Sequence, residues 1–254
     1  MTKRSAVTTV ALSVLAVMTA GCMIPSPDNG EDFDEPFPTE QSESPDPDPS
    51  STGESLEGQF EHETMNLYVD EVLPWVVQWV EDTWPWMPVP DVVYVEEGDS
   101  GPEACLDGDG ERAYYSSESY EYCPTDETVY LGQDTLWLFY SETGDAGPAM
   151  GIAHEFGHHI QYQVGVPGPQ TAEQSIEFEN QADCLAGAWI KYTDEVLHIL
   201  EYPDDIEDID LLMPMIASAE DEGSDRDHGT LDERIDAFTD GYEAGVEACG
   251  IDEG

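Results

Sequence analysis

Lysine and arginine are nearly missing from this chain: only six occur among 254 residues, against 58 Asp and Glu, for a formal net charge of −52. That shortage excludes a nucleic-acid binder and a protein drawn electrostatically to an anionic membrane, because both need clustered cations. The imbalance is not confined to a tail. Residues 58–254 keep 47 of the acids, with only Arg112, Lys191, Arg226 and Arg234 on the opposite side. Self-repulsion of that size loosens a compact chain in dilute buffer, and concentrated salt screens it to a Debye length of about 3 Å. The composition reads as that of a protein from salt-rich surroundings.

Cysteine is also sparse, five in all, and none sits in a CxxC pair, which argues against a paired-cysteine zinc site. Long apolar runs are missing except near the N-terminus, where Lys3 and Arg4 precede "SAVTTVALSVLAVMTAG" and the run ends at Cys22. It is short and rich in Ser and Thr for a membrane span, so a cleaved export signal over residues 1–22 is expected. Small residues before Cys22 are similar to a lipoprotein signal, although Thr19 stands where Leu is usual, so lipidation of Cys22 and plain secretion both stay open. Residues 23–57, dense in Pro, Ser, Asp and Glu, read as a disordered spacer to a globular domain over 58–254. Setting Cys22 aside leaves Cys105, Cys123, Cys184 and Cys249, an even set suited to two disulfides in an exported protein. Of three connectivities, Cys105–Cys123 is favoured by nearness in sequence and Cys184–Cys249 by elimination.

The coarse pattern is mixed. An aromatic-rich stretch over 60–84 predicts a helix broken or kinked at Pro74. "DVVYVEE" predicts a strand, and residues 120–132 a hairpin turning at Pro124–Glu127. Helices are expected over 146–164, 171–192, 204–220 and 231–245.

Histidine is as scarce as lysine and arginine together, yet three of the six fall within "AHEFGHHIQ", residues 153–161. Residues four apart on a helix are about 40° out of line, so His154 and His158 share a face, while Ile152, Phe156 and Ile160 form an apolar stripe beside it. Two imidazoles with Glu155 next to the first make HExxH, two zinc ligands and a carboxylate that can take a proton from the attacking water. Zinc needs a third protein ligand. The Gly-x-x-His continuation of one zinc-peptidase class is absent, whereas "EFENQADCLAGAWIKY" offers Glu179, with Asp183 four residues on to accept a hydrogen bond from a ligand histidine. Glu177, the nearest competitor, lies about 200° round the helix from Glu179, and Cys184 is about 140° off the metal face.

These residues resemble the putative neutral zinc metallopeptidases, which pair an HExxH helix with a second helix of the form ELQADC-x-AG, here "ENQADCLAG". "EACLDG", "EYCPTDETVYL" and "HGTLDERIDAFTDGYEAGVEAC" extend the resemblance over roughly residues 60–250. It implies an α+β, zincin-like fold, mostly helical with a small sheet and hairpin region, zinc-dependent peptidase activity, and glutamate, here Glu179, as third ligand. Asn180 replaces an apolar residue of that pattern, and Gly132 stands where Asp is frequent.

His159 points about 100° away from His158 and reads as a supporting or surface residue. His228 is either a turn residue before a helix capped by Thr230 and Glu233, or a donor to the oxyanion formed during attack. Arg234 reads as one half of a structural ion pair, with a contact to an acidic partner or to the substrate as the alternative. "DGDGE" fails as an EF-hand, because Arg112 falls where Gly is required, and reads as a solvated loop. The sequence thus describes an exported zinc metallopeptidase acting on peptides or proteins, anchored through Cys22 on the outer membrane face or secreted. A catalytically idle zinc-stabilised surface module is its rival, and an amidase shares the same residues. The salt reading has a direct check: thermal melts in about 0.1 M and in several molar KCl should differ, with the higher midpoint in concentrated salt, and equal midpoints would refute it.

Overall fold

The computed structural model describes residues 55–106, 111–217 and 229–251. Cys22, Arg226, His228 and most of the "DGDGE" turn lie outside the described residues. The architecture is α+β and mostly helical. Helix α1 (Met65–Thr83) leads into strands β1 (Asp91–Val95), β2 (Ser100–Leu106), β3 (Arg112–Ser116), β4 (Tyr120–Cys123) and β5 (Thr128–Gly132). Helices α2 (Gln133–Thr143), α3 (Ala146–Val164), α4 (Ala172–Tyr192), α5 (Asp204–Ile216) and α6 (Leu231–Ala244) follow. No helix among the described residues is long and apolar enough to cross a membrane.

Helix α1 buries Met65, Tyr68, Val69, Val72, Val76, Trp79 and Val80, a single stripe at helical spacing. Of the break or kink expected at Pro74, the break does not occur: the helix runs through it. Proline removes one donor, but Val72 and Val76 on either side are buried and hold the turn in place. Strand β5 lies between β1, parallel to it, and β4, antiparallel to it, and all five of its residues are buried. The hairpin over 120–132 is present as β4 and β5, and β4 is the edge of its sheet. Strands β2 and β3 form a separate antiparallel hairpin, and the Cys105–Cys123 disulfide ties β2 to β4. At Gly132 a Cβ would stand 2.3 Å from Ser117 O, so this backbone excludes the Asp found there in the resembling family. Leu56 and Glu57, assigned by composition to the spacer, touch the domain: Tyr140 OH donates to Leu56 O at 2.6 Å and Asp145 N–H to Glu57 at 3.2 Å.

Two close helix approaches set the site. Helix α3 meets α4 where a Cβ on Gly157 would come 3.2 Å from Ala182 Cα. Helix α4 meets α6 through a reciprocal glycine pair, Gly241 against Cys184 O and Gly187 against Phe238 O, with hypothetical Cβ distances of 1.9 and 2.1 Å. The Cys184–Cys249 disulfide, whose cysteines are 65 positions apart in sequence, reinforces this contact and contributes about 4 kcal/mol in the chain-entropy account. Gly241→Ala should therefore wedge the two helices apart and lower stability by about 1–3 kcal/mol in denaturant melts; an unchanged midpoint would contradict the packing described.

Candidate metal centre

Helix α3 spans the 146–164 range read from the sequence, and its residues from Ala146 to Gly157 are all buried. Helix α4 starts at Thr171, whose side chain caps it by accepting from Gln174 N–H. Their contact brings His154, His158 and Glu179 together: one ligand atom from each lies within 4.8 Å of the others. The Glu179 carboxylate spans the two rings, with Oε2 3.2 Å from His154 Nε2 and Oε1 3.5 Å from His158 Nε2. Glu177 is exposed on the far side, and Cys184 is engaged in its disulfide.

The second nitrogen of each imidazole is also fixed. His154 Nδ1 stands 2.8 Å from Asp183 Oδ1, and since a carboxylate only accepts, Nδ1 carries the hydrogen. His158 Nδ1 stands 2.8 Å from Gln161 Oε1, while Gln161 Nε2 donates to Phe178 O at 2.7 Å, so the amide oxygen faces the ring and Nδ1 donates again. Both Nε2 atoms thereby face Glu179, and in the metal-free protein His154 Nε2 carries the hydrogen shared with Oε2; that nitrogen becomes a metal donor once the proton leaves. Gln161 is fully buried and was assigned no role by the sequence reading; its i+3 position from His158 on the same face is the signal that could have found it. Phe178 stacks on His158 at 5.1 Å between centroids.

The electrostatics call for a cation among these groups. Burial works against charging His154, but Asp183 and Glu179 outweigh it and hold the ring up at about 10. Glu179, despite burial, is held well below its ordinary range by His158 and His154. Glu155 is 7 % exposed, and burial pushes its carboxyl up to about 7 even though His158 and His154 pull the other way.

A divalent metal fits this donor set. Two imidazoles with one carboxylate are a common catalytic zinc set, and one ligand atom from each of the three residues lies within 4.8 Å of the others, near enough to converge on one ion. A family profile described as "Putative neutral zinc metallopeptidase" matches residues 112–250, more than half the chain and both helices of the site. The chain belongs to that family. An uncharacterized protein of Mycobacterium tuberculosis is 30% identical over 151 residues, covering 49% of this chain and 51% of that one. The uncharacterized protein YpfJ of Escherichia coli K12 is 31% identical over 155 residues, covering 50% and 51%. The chain thus spans about half the length of the curated relatives it matches. No solved structure matches it.

Not every candidate joins the site. His159 is fully buried and faces the sheet instead, its Nε2 2.7 Å from Pro88 O and its Nδ1 3.0 Å from Tyr122 OH, so it is not the surface residue its spacing allowed. Burial lowers its pKa, which keeps the ring neutral near neutral pH. Asn180, the departure from the family pattern, has a buried Oδ1 with no hydrogen-bond partner among the described residues.

Because His154 holds its proton up to about pH 10 in the metal-free protein, zinc binding near neutral pH must displace it. Protons should be released on zinc binding, from His154 and also from His158, whose pKa Glu179 raises despite burial, and affinity should rise with pH through the neutral range. Calorimetry in buffers of different ionisation enthalpy measures this, and binding without proton release would contradict it.

Proposed function

We propose that this protein is a zinc-dependent peptidase of zincin-like fold that works outside the cytoplasm in concentrated salt. The observation that carries the reading is the convergence of His154, His158 and Glu179 at ligand spacing beside a buried Glu155. Zinc held by these three residues supplies a Lewis acid that lowers the pKa of water and polarises the scissile carbonyl. Glu155, buried beside the two rings, takes the attacking water's proton and delivers it to the leaving amine. Asp183 and Gln161 fix the two ligand rings. His228 is the candidate donor to the oxyanion. Strand β4, at the edge of its sheet, is the candidate to line the cleft and hold an extended peptide.

Export is supported by the apolar N-terminal run ending at Cys22, the proposed lipid-bearing residue, and by two disulfides that suit an oxidising compartment. Salt adaptation is supported by the net charge and by crowding at α5, where burial and neighbouring carboxylates push Asp205 and Asp208 to about 7.

Glu155→Gln tests the reading against an inactive zinc-binding surface module. The variant should bind zinc and melt like the parent while kcat/KM on a peptide library in high salt falls by roughly 10²–10⁴-fold. A parent protein that binds zinc and cleaves nothing would favour the inactive module instead.

A further inference from the structure

The chain has six Lys and Arg in all, and one of them is sealed inside it. Arg234, on the first turns of α6, is 1 % exposed. Its guanidinium forks onto Asp183, Nε donating to Oδ2 at 2.8 Å and Nη2 to Oδ1 at 2.7 Å, and its Nη1 donates to Ile216 O at 2.7 Å, at the end of α5. Asp183 is itself wholly buried, and its Oδ1 also receives His154 Nδ1–H.

We propose that Arg234 is a positioning residue for the metal: its fork fixes the plane of the Asp183 carboxylate, and that plane fixes the direction of His154. The inference rests on the reading of His154 as a zinc ligand.

A carboxylate held by one hydrogen bond can turn about its Cβ–Cγ bond and swing the ring attached to it. One clamped on both oxygens by a planar fork cannot, which is the geometric service that Arg provides and Lys does not. The clamp reaches Asp183 only because the Gly187 and Gly241 backbones let α6 lie against α4. Gly229 also packs closely, a Cβ there meeting Asn180 Oδ1 at 2.5 Å and Arg234 Cγ at 3.2 Å. The end of α5 and the start of α6 are thus mechanically joined to a ligand on α3. A purely structural ion pair would hold the same helices together without touching the metal, and the two roles separate experimentally.

The test measures zinc affinity by chelator competition, in high salt, for the full chain and for Arg234→Lys, Asp183→Asn and the double variant. Arg234→Lys keeps the charge and loses the fork: its zinc affinity should fall by about tenfold or more, while its metal-free melting temperature stays near the parent's. In the Asp183→Asn background the same substitution should cost no further affinity, because Arg234 acts through Asp183. Parent-like zinc affinity in Arg234→Lys, or losses that simply add in the double variant, would overturn the proposal. Should the lysine variant not fold, the parent decides: its Arg234 Nε–H and His154 Nδ1–H should both be protected from exchange by ¹⁵N NMR, and free exchange of the Arg234 proton overturns the proposal. A parent that binds no zinc removes the ligand reading beneath it, a separate failure.

Discussion

The site depends on how closely α4 can approach α3. At the crossing, Gly157 and Ala182 face each other with room for no larger side chain, and the polar groups lie one turn to either side. On α3 the series His154, Gly157, His158, Gln161 follows i, i+3, i+4, i+7; on α4 Glu179, Ala182, Asp183, Ala186 follows the same pattern. Two matching ridges, each small at the contact and polar beside it, place a carboxylate against two rings. They also place a second carboxylate behind the first ring and an amide behind the other. Burying that many polar groups is tolerated only because each finds a partner and a cation, proton or metal, completes the set.

That arrangement explains what could be seen in the sequence. HExxH and the Glu-x-x-x-Asp pair are local patterns on single helices, so helical periodicity alone put each set on one face. Their meeting was inferred from resemblance and from the chemistry of zinc, and the packing of α3 on α4 brings the three side chains within ligand distance. Gln161 and the Arg234 fork were not legible, because their roles arise between elements: an amide on α3 reaching the α4 backbone at Phe178, and a guanidinium on α6 reaching a carboxylate 51 residues earlier. His159 was ambiguous for the same reason. Its angle on the helix excluded it from the metal face but did not say that the other side was the sheet.

The fold was read unevenly. Helices with clear apolar stripes, α3, α4 and α6, have ends within a residue of those expected. Helix α2 was not anticipated, since "QDTLWLFYSET" mixes aromatic and β-branched residues over only three turns. The β2–β3 hairpin was missed because Gly101 and Pro102 argue against a strand, yet β2 lies in a two-stranded sheet with a register shift after Pro102, where such residues are tolerated. At Pro74 local rules allow a break or a kink because they weigh the lost donor and cannot weigh the buried residues around it, which keep the helix continuous. In each case packing between elements prevailed over local preference.

A surface so rich in carboxylate surrounds an interior with few cations: one arginine is sealed beside the candidate ligands, and a metal held there would neutralise the carboxylate that spans the two rings. X-ray absorption at the zinc edge of the loaded protein tests the central claim most directly. The account predicts one zinc per chain with a first shell of nitrogen and oxygen alone at about 2.0–2.1 Å, carrying the scattering pattern of two imidazoles. A sulfur shell at about 2.3 Å, or a single imidazole, would contradict it.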